Sequence, residues 1–159
     1  MNREKARSPW WRGGVYFSCA KCGICCGDAP GTVRFSASER SAMSCALGLG
    51  ETEFDLLYTW EKYGVLSLRE KPNYDCVFLK TEHGGAECGI YEARPAQCRT
   101  FPFWPDVMES RRSWDDFALS CPGMNNGLFH GYDEISEILD SYSKNTKHFH
   151  PAGKFNQRR

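Results

Sequence analysis

The stretch FSCAKCGICCGD, residues 17–28, places four cysteines within eight positions. They are Cys19, Cys22, Cys25 and Cys26, and the last two are neighbours. Five more cysteines follow, at positions 45, 76, 88, 98 and 121. The dense cluster and the scattered positions need a common explanation, and three are available: disulfide bonds, inert buried thiols and metal ligands.

Disulfide bonds and inert thiols explain the pattern poorly. The total of nine cysteines is odd, and a bridge between the adjacent Cys25 and Cys26 would be strained. The N-terminal sequence MNREKARSPWWRGG lacks the apolar segment of a secretory signal, so we expect a cytoplasmic protein, whose thiols stay reduced. Inert buried thiols account for single cysteines but not for the spacing CxxCxxCC.

Metal ligation explains the spacing. A CxxC turn directs two thiolates toward one point, and a third cysteine at the same interval can join them. Glycine follows Cys22, Cys26 and Cys88, and Pro-Gly follows Cys121. Glycine permits backbone turns that direct N–H groups at a thiolate sulfur and stabilise its charge. The pattern therefore predicts thiolate metal ligands.

The adjacent cysteines suggest two sites, because side chains of neighbouring residues tend to point apart. We predict that Cys19, Cys22 and Cys25 share one metal with one downstream cysteine, and that Cys26 joins the other three. Each site would then close a long loop, which removes much entropy from the unfolded chain. We also expect sulfurs of one site to lie within a few ångströms, since Zn–S bonds measure about 2.3 Å.

The rest of the chain predicts a small α+β single domain stapled by metal, with short strands, turn-rich cysteine loops and several helices. Its 159 residues are 41% hydrophobic, enough for a core, and no apolar run approaches the roughly 18 residues of a membrane span. Four helices are predicted. The first is capped by Ser36 or Ser38 and ends near Gly48 or Gly50, and the second covers 51–64 with Thr52 as N-cap. The third is a single turn that starts at Pro95, and the fourth is an amphipathic helix within 133–149. The predicted strands lie at 65–68 and 76–79, the latter opening a hairpin over 76–91.

Several segments resemble the YkgJ-type cysteine cluster family, a zinc- or iron-chelating CxxCxxCC domain related to that of flagellin lysine N-methylase. They are FSCAKCGICCG (17–27), CVFL (76–79), CGIYEARPAQCRTFPFWP (88–105) and CPG (121–123). The resemblance implies that metal ligands are Cys19, Cys22, Cys25, Cys26, Cys76, Cys88, Cys98 and Cys121. Cys45 falls outside it, within a predicted helix, and we expect an inert core thiol there.

From the residues and the resemblance we expect a protein that chelates zinc or iron at one or two sites. We favour an iron–sulfur module with a redox role, an oxidoreductase or an accessory to one, and predict no catalytic side chain. The alternative is a zinc-stapled protein-interaction domain, in which Trp10 and Trp11 contact the partner. Expected partners are the metal ion and a redox protein, without membrane or nucleic acid.

We divide the chain into three segments. Residues 1–16 form an N-terminal extension, residues 17–123 form the CxxCxxCC metal-chelating domain, and residues 124–159 form the C-terminal helix with a basic tail.

Overall fold

The computed structural model describes residues 8–27 and 29–146, and within these the chain forms two compact units. The terminal unit combines the described residues of Met1–Ala20 with those of Pro102–Lys147. The central unit comprises the described residues of Lys21–Phe101. The basic tail predicted at the C-terminus lies outside the described residues from position 147 onward.

The described residues confirm the predicted α+β class, because helices alternate with short antiparallel strands. The strands are β1 (Val15–Phe17), β2 (Thr59–Lys62), β3 (Val65–Leu68), β4 (Leu79–Lys80), β5 (Glu87–Cys88) and β6 (Leu128–His130). The helices are α1 (Ala37–Ala46), α2 (Glu51–Tyr58), α3 (Ala96–Arg99), α4 (Pro105–Met108), α5 (Arg111–Ala118) and α6 (Tyr132–Thr146). No helix among the described residues is long and apolar enough to cross a bilayer.

Helix α1 begins as the sequence predicts. The Ser36 side chain accepts a hydrogen bond from the Glu39 N–H, and the Glu39 carboxylate accepts one from the Ser36 N–H. This reciprocal capping box satisfies two N–H groups that the first turn would leave unpaired. Gly48, in the left-handed region with φ of 69°, follows the end of the helix, as predicted.

The second predicted helix forms, but it is shorter than predicted and its N-cap differs. Helix α2 begins at Glu51 with Gly50, rather than Thr52, as its N-cap, and it ends at Tyr58. Strand β2 follows and pairs with β3 in the register Lys62↔Val65. The two residues between these strands, Tyr63 and Gly64, both have positive φ, which suits the right-handed twist of a two-residue hairpin. The tight hairpin therefore replaces the last helical turns that we predicted.

The core of the central unit lies where α1, α2 and β3 meet the hairpin within residues 76–91, which carries Cys76 and Cys88. It consists of Met43, Phe54, Leu68, Phe78 and Ile90, all buried, with Cys76 and Cys88 packed against it. The predicted hairpin over 76–91 is confirmed in a short form, with β4 and β5 paired in the register Leu79↔Cys88. The core thereby fixes the backbone on which two predicted ligands lie.

Cys45 corrects one of our predictions. It lies in α1, as expected, but its side chain is exposed, whereas the neighbouring Met43 and Ser44 are buried. A helix advances about 100° per residue, so a position directly after two buried ones turns away from the core. Cys45 is therefore a surface thiol rather than a core thiol.

The terminal unit packs around Trp114 and Ile135, which are both fully buried. Ile135 belongs to α6, so the inward face predicted for this helix is confirmed at that position. Phe103, from the FPFWP segment (101–105), is buried and stacks on Trp114. Strands β1 and β6, which we did not predict, close the unit with the register Val15↔His130.

The two N-terminal tryptophans are used inside the terminal unit. Trp10 donates its ring N–H to the Met108 carbonyl oxygen at 2.9 Å and lies 5.6 Å from the Trp114 ring. Trp11 stacks on Tyr132 with ring centroids 5.3 Å apart. Their intramolecular packing removes much of the basis for treating them as a partner-binding pair.

Candidate metal centre

The second half of the N-terminal cysteine cluster is a tight turn, as predicted. Gly23 adopts φ of 77° and precedes the short 3-10 helix Ile24–Cys26. A Cβ atom on Gly23 would lie 2.7 Å from the Cβ of Ala86. Both the backbone angle and the close approach therefore require glycine. The turn leaves Cys25 exposed and Cys26 half-buried.

The hairpin places Cys76 and Cys88 in matching local surroundings. The Cys76 sulfur accepts a hydrogen bond from the Phe78 N–H, and the Cys88 sulfur accepts one from the Ile90 N–H. In both cases the donor follows the cysteine by two residues. A backbone N–H directed at sulfur favours the thiolate, which is the form that binds metal. A glycine that permits such a turn follows Cys88 but not Cys76, so the sequence could suggest an N–H donor only for Cys88.

Cys98 lies in the single helical turn α3, which starts one residue later than predicted. Its N–H donates to the Pro95 carbonyl oxygen at 2.9 Å, and the side chain is half-buried. Pro95 precedes the turn as its N-cap residue. The turn brings a cysteine from a third part of the chain to the central unit.

Four thiols of the central unit form one electrostatic group. Burial raises the pKa values of Cys98 and Cys76 most. Negative charge on Cys76, Cys26 and Cys88 adds to the rise at Cys98, and charge on Cys26 and Cys88 adds to the rise at Cys76. Such coupling requires proximity, because solvent and salt screen distant charges. We name Cys26, Cys76, Cys88 and Cys98 the thiol quartet. Our prediction that Cys26 shares a site with three downstream cysteines stays a prediction.

The members of the quartet differ in how readily they ionise. A hydrogen bond with Cys25, whose sulfur lies 3.9 Å away, lowers the pKa of Cys26 to about 7. Burial raises the pKa of Cys76 to about 11, and it also raises the pKa values of Cys88 and Cys98. Burial stabilises the neutral thiol relative to the thiolate. A bound cation would reverse this preference, because it stabilises the charged form.

Arg94 is the cation that acts on most of the quartet. Its positive charge lowers the pKa values of Cys26, Cys88 and Cys98, although other effects outweigh it at the last two. The guanidinium lies 3.6 Å above the Tyr91 ring, and Nε donates to the Tyr91 carbonyl oxygen at 2.8 Å. Arg99, by contrast, pairs with Glu39 at 3.6 Å. Arg94 can therefore offset the negative charge that a tetrathiolate site accumulates.

The other predicted ligands lie in two places. Cys22 belongs with Cys25 to the turn of the central unit, whereas Cys19 and Cys121 belong to the terminal unit. Cys19 is exposed and Cys121 is buried. Within the terminal unit, the Ser18 N–H donates to the Gly123 carbonyl oxygen at 3.2 Å. The segments that carry Cys19 and Cys121 are thereby held together by their backbones.

One of our geometric expectations is wrong. Among the described residues, no group of three or more Cys, His, Asp or Glu side chains is placed so that it could hold a metal ion. The sulfurs instead make local contacts, such as the 3.9 Å contact between Cys25 and Cys26. Spacing indicates which segments can meet but does not fix the side-chain rotamers. The assignment of the eight ligands stays a prediction.

The donor set nevertheless suits zinc or iron. Thiolates are the ligands of structural zinc sites and of iron–sulfur clusters. The quartet supplies four sulfurs, two with backbone N–H donors and three with Arg94 as a compensating charge.

Comparison with known proteins agrees with this chemistry. Residues 18–122 match the model of a family described as "CxxCxxCC: Putative zinc- or iron-chelating domain". The matched stretch contains all eight cysteines that we predict as ligands. No solved structure matches the chain. Because the match extends over more than half of the 159 residues, the chain belongs to the CxxCxxCC family.

Proposed function

We propose that the protein binds zinc or iron through the thiolates of the quartet, Cys26, Cys76, Cys88 and Cys98. The observation that carries the proposal is the backbone arrangement of the central unit: the Cys76 N–H donates to the Cys26 carbonyl oxygen at 2.6 Å, and the hairpin β4–β5 pairs Cys88 with Leu79. Burial and the negative charge of the other three thiols raise the pKa of Cys98, which agrees with this grouping. Cys19, Cys22, Cys25 and Cys121 remain predicted ligands on the strength of the motif alone. When bound, the metal would neutralise charge that the half-buried thiolates could not otherwise sustain.

The chain's own groups would tune the site. The N–H groups of Phe78 and Ile90 donate to two of the sulfurs, and Arg94 contributes a fixed positive charge. Hydrogen bonds to sulfur and nearby charge raise ligand stability and set reduction potentials in thiolate sites. These contacts support a site whose electronic properties the protein controls.

We further propose that the metal is an iron–sulfur cluster with a redox role. The quartet supports this version, because iron–sulfur clusters are held by four cysteine thiolates. The test is anaerobic purification followed by visible absorption and iron and sulfide analysis. A brown protein that bleaches on reduction supports the redox role. A colourless protein with stoichiometric zinc contradicts it.

The zinc-stapled interaction domain is the second candidate, and a different observation favours it. In the central unit the hairpin β2–β3 and helix α2 expose large apolar side chains, including Leu56 at 71% and Tyr63 at 85%. Exposed apolar residues of this size are frequent at protein interfaces. The test is binding of zinc-loaded protein to candidate partners after Leu56→Ser and Tyr63→Ser. Undiminished binding would exclude this surface.

A further inference from the structure

We propose that Glu39 and Gln97 are positioning residues, which hold the turn α3 so that the Cys98 thiol can join the other three members of the quartet. The inference rests on the function proposed above, because it concerns the geometry of that site. Neither side chain is a predicted ligand. Glu39 bonds to Ala96, two residues before Cys98, and Gln97 directly precedes Cys98.

The turn α3 cannot hold itself in place. It has only four residues, Ala96–Arg99, and its N-cap is Pro95, which makes no side-chain capping bond. A single helical turn is unstable in isolation, because nucleation fixes several dihedral angles for one hydrogen bond. The orientation of Cys98 must therefore come from contacts outside the turn.

Glu39 supplies the first of these contacts. One oxygen of its carboxylate accepts the Ser36 N–H at 2.7 Å and closes the capping box of α1. The other oxygen accepts the Ala96 N–H at 2.6 Å. The same oxygen lies 3.6 Å from a guanidinium nitrogen of Arg99. A single carboxylate thus caps two helices, and the second of them carries Cys98.

Gln97 supplies the second contact. Its amide oxygen accepts the Arg34 N–H at 3.0 Å, and its amide nitrogen donates to the Thr32 carbonyl oxygen at 2.8 Å. The side chain therefore bonds to the backbone at both of its ends, in the manner of a neighbouring strand. These two hydrogen bonds to residues 32–34 fix the rotation of the turn about its own axis. The cap by Glu39 alone would leave that rotation free.

The two contacts predict a specific defect. Loss of either contact should misplace Cys98. Cys26 would still be held by the turn at residues 23–26, and Cys76 and Cys88 by the hairpin within residues 76–91. A general loss of stability would instead affect all four thiols alike. The extent of alkylation at Cys98 relative to Cys76, measured in the same molecule, therefore separates a positioning role from a merely structural one.

The experiment measures alkylation of each cysteine by iodoacetamide in the full-length protein, with and without bound Zn²⁺, followed by peptide mass spectrometry. The variants are Glu39→Gln, which leaves one N–H without an acceptor, and Gln97→Ala, which removes both bonds to residues 32–34. Ser36→Ala is the matched control. It breaks the capping box of α1 but leaves the Glu39 carboxylate free to accept the Ala96 N–H.

We expect zinc to protect all four quartet thiols in the parent protein and in Ser36→Ala. In Gln97→Ala and Glu39→Gln we expect alkylation of Cys98 to rise relative to Cys76, and zinc affinity to fall about 10- to 100-fold, as is typical when the support of a ligand is removed. Gln97→Glu keeps the acceptor for Arg34 and should restore part of the protection.

Two results would overturn the inference. One is an unchanged ratio of Cys98 to Cys76 alkylation in both variants, and the other is a parallel loss of protection at all four cysteines. Failure of the proposed function looks different: zinc would then protect none of the quartet thiols even in the parent protein.

Discussion

The N–H of Cys76 donates a hydrogen bond of 2.6 Å to the carbonyl oxygen of Cys26. This bond joins the last cysteine of the N-terminal cluster to the first cysteine of the hairpin. The backbones of two quartet members are thus held together by main-chain contacts. The bond therefore brings two predicted ligands from separate segments next to each other in the central unit.

The first prediction concerns metal content. Cys76→Ser should lower the metal bound per chain, because a neutral hydroxyl is a poor substitute for a thiolate. Elemental analysis of purified protein checks this. Cys45→Ser is the control, because Cys45 is exposed and should change unfolding free energy by no more than about 0.5 kcal/mol. Equal metal content in both variants would remove Cys76 from the ligand set.

The second prediction concerns pH in chelator-treated protein. The pKa of Cys26 is lowered to about 7, so between pH 7 and 9 the folded state has released a proton that the unfolded state retains, and stability should rise. The pKa of Cys76 is raised from 9.0 to about 11, so between pH 9 and 11 the unfolded state releases its proton first and stability should fall. Urea unfolding measured from about pH 7 to about pH 11 checks both signs.

The control for the pH prediction is the pair of single variants. Cys26→Ser should flatten the rise in stability below pH 9, and Cys76→Ser should flatten part of the fall in stability above pH 9. Parent and variant curves of the same shape would contradict the assignment of these slopes to the two thiols.

The third prediction concerns metal removal. A structural tetrathiolate site can contribute on the order of 10 kcal/mol of apparent folding free energy, comparable with the whole stability of a domain. A strong chelator should therefore lower the thermal midpoint of the protein, and added Zn²⁺ or Fe²⁺ should restore it. An unchanged midpoint in protein verified to be free of metal would argue that the site is not structural.

The fourth prediction concerns the cysteine turn. Gly23→Ala should destabilise the protein for two reasons: a left-handed backbone costs about 1–2 kcal/mol for a residue with a side chain, and the new Cβ would lie 2.7 Å from Ala86. Gly48→Ala is matched, since Gly48 has φ of 69° and no atom within 4 Å of the added Cβ. Denaturant unfolding should give the larger loss for Gly23→Ala. Equal losses would mean that the turn can move away from Ala86.

The fifth prediction concerns Arg94. Arg94→Gln should weaken zinc binding about tenfold or more, because the compensating charge beside three thiols is lost. Arg112→Gln is the control, since that side chain is 91% exposed in the terminal unit. Competition titration with a chromophoric chelator measures both affinities. The same affinity in the two variants would exclude Arg94 from charge compensation.

The features that the sequence predicted correctly have local causes. The capping box at Ser36 and Glu39 depends on residues three positions apart, and the inward position of Ile135 follows from helical periodicity. The hairpin at 76–91 follows from apolar residues flanking a glycine-rich turn. In each case the residues that determine the structure are close together in the chain.

The features that were missed depend on distant residues. Strands β1 and β6 have three residues each and pair across most of the chain, so neither segment alone carries a strand signal. The second role of Glu39, the bond to Ala96, likewise needs the folded backbone. The same holds for the sulfur positions, since cysteine spacing predicts the grouping of Cys26 with downstream cysteines but not the rotamers.

The interrupted terminal unit has a consequence for synthesis on the ribosome. Its strands β1 and β6 lie on either side of the entire central unit, and the bond from His130 to the Phe17 carbonyl oxygen spans 113 positions. Chains emerge from the N-terminus at roughly 5–20 residues per second, so β1 must wait several seconds for its partner. During that interval the complete central unit, with its quartet, has left the ribosome. We therefore expect the central unit to fold first, and the nascent chain to expose Val15 and Phe17 until β6 emerges.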